Sequence, residues 1–109
     1  MRFVIPLQLV SVANKREHWA VKARRVKAER TTVGWHLRQE HGRPELPVSV
    51  TLTRLGPRPF DPDNNVASLK AVQDAVADWL GCDDGDERVR WEYRQKRHPE
   101  YAVVIEVSA

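Results

Sequence analysis

A mixed α/β domain is predicted for this chain of 109 residues, on three observations. Val48, Val50 and Leu52 alternate with Ser49, Thr51 and Thr53, the two-residue period of a half-buried strand. Residues 88–96 alternate again, with Val89, Trp91 and Tyr93 on one side and Arg88, Arg90, Glu92, Arg94 and Lys96 on the other. Between these segments Val66, Leu69, Val72, Val76 and Leu80 recur at the spacing of a helix with one buried stripe. The predicted order is β-α-β-α-β-β, a mixed sheet with helices packed against it (α/β, or α+β in the broader sense). Length places residues 1–109 in a single domain.

Residues 2–12 read as the first strand, and Pro6 assigns it to an edge or a bulge because proline cannot donate to a ladder. Ala13 and Asn14 turn the chain. Residues 16–40 read as a helix, with Trp19, Ala23, Val26, Val33 and Leu37 as its apolar stripe. Thr31–Gly34 is a weak helical stretch, where a break or a second helix can begin. The exposed side of this segment is basic. Lys15, Arg16, Lys22, Arg24, Arg25, Lys27 and Arg30 stand against Glu17 and Glu29. An excess of this kind suits a nucleic-acid backbone as well as it suits solvent.

Gly42 and Pro44, after His41, stop that helix, and Gly56-Pro57-Arg58-Pro59 ends the strand that follows. Residues 64–80 read as one helix, with Asp63 or Asn64 as N-cap and Gly81 as C-cap. On a continuous helix Asp63, Lys70 and Asp74 share one face. Cys82-Asp83-Asp84-Gly85-Asp86 is an acidic loop, and His98-Pro99-Glu100 turns the chain between the last two strands, which are expected to form a hairpin.

Several chemistries are poorly supported. A lone cysteine, Cys82, excludes an internal disulfide and a cysteine-based zinc site. Its carboxylate neighbours should raise its pKa, which makes it a structural residue. His18, His36, His41 and His98 fall at no metal-ligand spacing on one element, and neither a phosphate loop nor a nucleophile elbow is present. No apolar run approaches the ~20 residues of a membrane span. No signal-peptide pattern is seen at the start, so a reducing cytoplasm is the expected compartment.

The charge plan is the strongest functional signal. From Asp61 to Glu87 there are eight acids (Asp61, Asp63, Asp74, Asp78, Asp83, Asp84, Asp86, Glu87) and one base, Lys70. That window carries −7 in a chain of net charge +3, which leaves +10 on the rest. Basic flanks around a compact acidic centre suit a metal-dependent enzyme that acts on a polyanion.

Asp61-Pro62-Asp63-Asn64, then Lys70-Ala71-x-x-Asp74-Ala75-Val76, then Gly81 and Asp83-Asp84, resembles the RusA-type Holliday junction resolvases, endodeoxyribonucleases of bacteria and phages. The ordered motifs cover nearly the whole chain. One spacing departs from the pattern: five residues separate Asn64 from Lys70, where the family has two. The resemblance implies a homodimer that binds four-way DNA junctions and nicks them symmetrically with magnesium, or with manganese in its place. It implies that Asp61, Asp63 and Asp84 are metal-binding catalytic acids, with Asp83 or Asp86 as substitutes for Asp84, and that Lys70 offsets phosphate charge. The expected DNA-binding residues are Lys22, Arg24, Arg25, Lys27 and Arg30 from the first helix, with Arg88 and Arg90 from the last strands. The alternative is a phage protein that kept the fold and binds DNA without cutting it.

Overall fold

A computed structural model describes residues 1–11, 18–40 and 42–109 of the chain. The expected turn at Ala13 and Asn14, the bases Lys15 and Arg16, Glu17 and His41 lie outside the described residues. The elements run β1 (Arg2–Ile5), α1 (Trp19–Arg38), β2 (Val48–Gly56), α2 (Pro62–Ser68), α3 (Lys70–Leu80), β3 (Val89–Arg97) and β4 (Ala102–Ser108). Four strands form one mixed sheet in the order β1-β4-β2-β3, and the three helices complete an α+β fold.

Strand β2 is central. It pairs in parallel with β3, from Val48 opposite Val89 to Gly56 opposite Arg97, and antiparallel with β4 on its other side. The expected β3–β4 hairpin is therefore corrected: β2 lies between the two strands. The link that crosses the end of β2 is anchored by the His98 amide, which donates to the Gly56 carbonyl at 2.8 Å. The physical reason is the helical connection between β2 and β3, which is long enough to bring β3 back parallel to β2. That pairing occupies one edge of β2, and the antiparallel β4 takes the other.

Strand β1 ends at Ile5, shorter than the expected 2–12, because Pro6 cannot continue the ladder. It occupies an edge, paired only with β4. Alternation sends Ile5, Val50, Leu52, Val103 and Ile105 into the core, where they meet Val33 and Leu37 of α1 and Val72, Val76 and Leu80 of α3. The opposite face of the sheet, with Thr51, Thr53, Arg90, Glu92 and Arg94, stays accessible or half-buried.

Helix α1 is continuous through Thr31–Gly34, and its buried residues are Glu29, Val33 and Leu37. The expected stripe holds only in the C-terminal half: Trp19 is 77% exposed, Ala23 is exposed and Val26 is half-buried. The expected helix over 64–80 is two helices that meet at Leu69. The first begins two residues earlier than expected, because Pro62 carries a φ suited to N1 and lacks the amide that N1 leaves unpaired. Asp61 takes the N-cap position without a side-chain bond. Leu69 is fully buried and its amide is shared between the Asn65 and Val66 carbonyls, at 3.2 and 3.1 Å. The change of helix at Leu69 leaves Val66 42% exposed, outside the stripe assigned to it. Gly81 ends α3 in the left-handed region, φ 77°, as expected.

Candidate functional site

The acidic loop doubles back along α3. Lys70 opens α3, and its ammonium reaches Asp74 Oδ1 at 3.1 Å, one turn along the same helix. It also pairs with Asp84 Oδ2, fourteen residues later in sequence. Asp84 is held from the strand side as well, where the Trp91 indole N–H donates to its backbone carbonyl at 3.0 Å. The turn at Gly81 starts this return, and β3 supplies the indole that fixes it. Together they bring Lys70, Asp74 and Asp84 to one place.

The electrostatics follow from these contacts. The Asp84 carboxylate first, and Asp74 second, raise the pKa of Lys70 above its ordinary value. Lys70 in turn holds the Asp84 carboxyl below the usual carboxylate range. Asp86 is pulled down to about 2, first by a two-pronged ion pair with Arg88, whose Nε and Nη2 lie 3.0 and 2.8 Å from the two carboxylate oxygens. Burial first, and Asp86 second, push the Cys82 thiol up. The expected direction for Cys82 holds, with desolvation ahead of the negative neighbours. A raised thiol pKa leaves little nucleophilic thiolate at neutral pH.

Beside the Lys70 cluster runs a cleft of about 200 Å³, lined by Lys22, Arg25, Val26 and Glu29 of α1 and by Lys70 and Asp74 of α3, among others. Helix α1 therefore brings two of the expected DNA-binding residues, Lys22 and Arg25, to the same opening. The seven candidates do not act alike. Arg25 is ion-paired with buried Glu29 at 3.2 Å, Arg30 with Asp78 at 2.8 Å and Arg88 with Asp86. Among the described residues Lys22, Arg24, Lys27 and Arg90 have no ion pair and are exposed. Arg90 sits on β3 between inward-facing Val89 and Trp91, so it belongs to the open face of the sheet, away from α1.

Asp61 and Asp63 are exposed at the start of α2. Seven residues of α2, about 10 Å of helix, separate that start from Lys70. Asp83 is exposed and lines a separate depression with Asp78, Cys82, Asp86 and Arg88. Thus Asp84, Asp74 and Lys70 are brought together, and Asp61, Asp63 and Asp83 are not part of that group. The helix on which Asp63, Lys70 and Asp74 are expected to share a face is interrupted at Leu69. Among the described residues no three histidine, cysteine or acidic side chains are grouped so as to hold a metal ion. Asp61, Asp63 and Asp84 are therefore not gathered into one three-carboxylate group among the described residues.

Several residues around the site were not singled out from the sequence. Tyr93 donates its hydroxyl to Gln73 Oε1 at 2.8 Å, joining β3 to α3. Gln95 accepts from the Phe60 amide at 2.8 Å and donates to the Phe60 carbonyl at 2.6 Å. Asn65 is buried and donates to the Arg94 carbonyl at 3.0 Å, which ties the first turn of α2 to the end of β3. Position supplies the missing signal, since Tyr93 and Gln95 continue the inward alternation of β3. No described helix is long and apolar enough to cross a membrane. No protein-family model matches the chain, and no curated protein matches it.

Proposed function

We propose that this chain is a structure-selective DNA endonuclease of the RusA type, acting as a homodimer on branched DNA with magnesium. One observation carries the reading: the loop after α3 folds back to place Asp84 against Lys70 and Asp74, at a cleft flanked by Lys22 and Arg25. A phosphate is attracted by the exposed Lys22, Arg24 and Lys27 of α1, which act over a Debye length and need no sequence. Lys70 is the residue set against the phosphate. Its ammonium lies between two carboxylates on an exposed edge, and exchanging one carboxylate for a phosphoryl oxygen puts positive charge where negative charge develops during phosphodiester cleavage. Asp84 and Asp74 keep Lys70 protonated and aimed until the exchange occurs.

A second reading, a DNA-binding protein that does not cut, is favoured by one specific observation. Asp84 is occupied by Lys70, and Asp61 and Asp63 stand apart from both. The two readings separate in one experiment with a labelled four-way junction and a linear duplex of the same sequence. The nuclease reading expects magnesium-dependent nicks in the junction alone, and their loss in Lys70→Met with junction binding retained. Tight junction binding by the parent with no nicks in magnesium or manganese would select the second reading. Equal and weak binding to junction and duplex would remove both.

A further inference from the structure

Arg54 is a charged group that the site leaves unexplained. It stands at an inward position of β2, is 2% exposed, and is the largest fully buried side chain in the core. Among the described residues no carboxylate forms an ion pair with it, and its Nε and Nη1 have no hydrogen-bond partner. A buried, unpaired cation is expensive, and burial lowers its pKa. A leucine or methionine would fill the same space without that cost. Whatever Arg54 does must depend on its guanidinium.

The contacts point to the turn that precedes the acidic centre. Arg54 Nη2 donates to the Arg58 carbonyl, and the guanidinium carbon lies 3.7 Å from the centre of the Phe60 ring. Gln95, 3.4 Å from Arg54 Nη2, grips the same residue by its backbone, bonding both the amide and the carbonyl of Phe60. Phe60 is thus held by its ring from β2 and by its peptide groups from β3. Asp61 is the next residue. Its carbonyl accepts the Asn65 amide at 2.9 Å, and Asn65 is tied to β3 in turn. Gly56 completes the arrangement, because a Cβ there would come 2.5 Å from Arg54 Nη1 and 3.3 Å from the Tyr101 ring.

We propose that Arg54 is a positioning residue that fixes the turn Arg58–Asp63 and so sets where Asp61 and Asp63 are presented. A planar, charged group can stack on Phe60 and donate to a carbonyl at once, a combination unavailable to an apolar side chain and poorly met by lysine. The functional weight of the proposal rests on the reading of Asp61 and Asp63 as site carboxylates; the structural part does not.

The test compares the parent with Arg54→Met and Arg54→Lys by thermal melting, amide hydrogen exchange and junction cleavage. A positioning role predicts that Arg54→Met melts no lower than the parent, while exchange at 60–66 speeds up by about tenfold or more and β2 and β4 amides keep their protection. It also predicts that kcat falls with little change in KM, and that Arg54→Lys fails to restore either readout. A lower Tm with faster exchange throughout β2 and β4 would make Arg54 an ordinary core residue and overturn the proposal. So would unchanged exchange at 60–66. If Arg54→Met does not fold, Phe60→Leu removes the same stacking contact from the turn side and is held to the same exchange criterion. A parent that cuts no junction defeats the nuclease reading, while the exchange data still decide whether Arg54 holds the turn.

Discussion

The return of the acidic loop begins at one backbone position, Gly81, and substitution there tests how the site is assembled. Gly81 has φ 77° and ψ 31°, and the Cys82 amide bonds back to the Ala77 carbonyl at 3.0 Å. A side chain in the left-handed region costs roughly 1–2 kcal/mol. The space around the residue adds little: a Cβ would meet Arg43 Nη1 at 2.6 Å, but that is the far end of an exposed, flexible side chain. Moving it gives up a long 3.5 Å hydrogen bond to the Trp79 carbonyl. Gly81→Ala should therefore destabilise by about 1–2 kcal/mol, lowering Tm by roughly 4–10 °C. Gly81→Asn should lose less, because asparagine tolerates this conformation. Calorimetric melts of the three proteins give the comparison. An alanine variant as stable as the parent, or an asparagine variant that falls as far as alanine, would refute a conformational origin for the effect.

Two further predictions address charge. The Asp86 pKa of about 2 lies below its ordinary value, so its pair with Arg88 stabilises the fold above that ordinary value and is lost as pH falls through about 2. Asp86→Asn should flatten the loss of stability between pH 4 and 2 measured by denaturant midpoints, with the depressed Asp84 leaving a remainder. Replacing Lys22, Arg24 and Lys27 together by alanine should weaken junction and duplex binding alike. It should also reduce the slope of log K against log salt by up to about 3, at roughly 0.9 for each phosphate no longer neutralised. An unchanged slope would remove α1 from the interface.

Much of the fold can be read from residue patterns, and the exceptions have identifiable causes. The alternation of Val48, Val50 and Leu52, the stripe Leu69–Val72–Val76–Leu80 and the left-handed Gly81 carry local information strong enough to define β2, α3 and its end. Strand order is non-local. Nothing in the His98-Pro99-Glu100 turn distinguishes a hairpin from a link that passes over β2, and the choice is made by β2 pairing on both edges. The helix break at Leu69 is hidden for a similar reason, because Leu69 fits the stripe of a continuous helix. At the site, the contact of Lys70 with Asp74 follows from i,i+4 spacing, whereas that with Asp84 depends on the Trp91 indole reaching the loop from another element. Arg54 illustrates the opposite case. Its inward position is legible from the alternation of β2, but its partners at Arg58, Phe60 and Gln95 are set by tertiary packing.

The most direct test is cleavage of a labelled four-way junction by the parent and by Asp63→Asn, each with magnesium and with EDTA. A RusA-type nuclease should give paired, symmetrical nicks that require magnesium and vanish in the variant, while the variant binds the junction as tightly as before. Nicking by Asp63→Asn at the parental rate, or nicking by the parent in EDTA, would contradict that function.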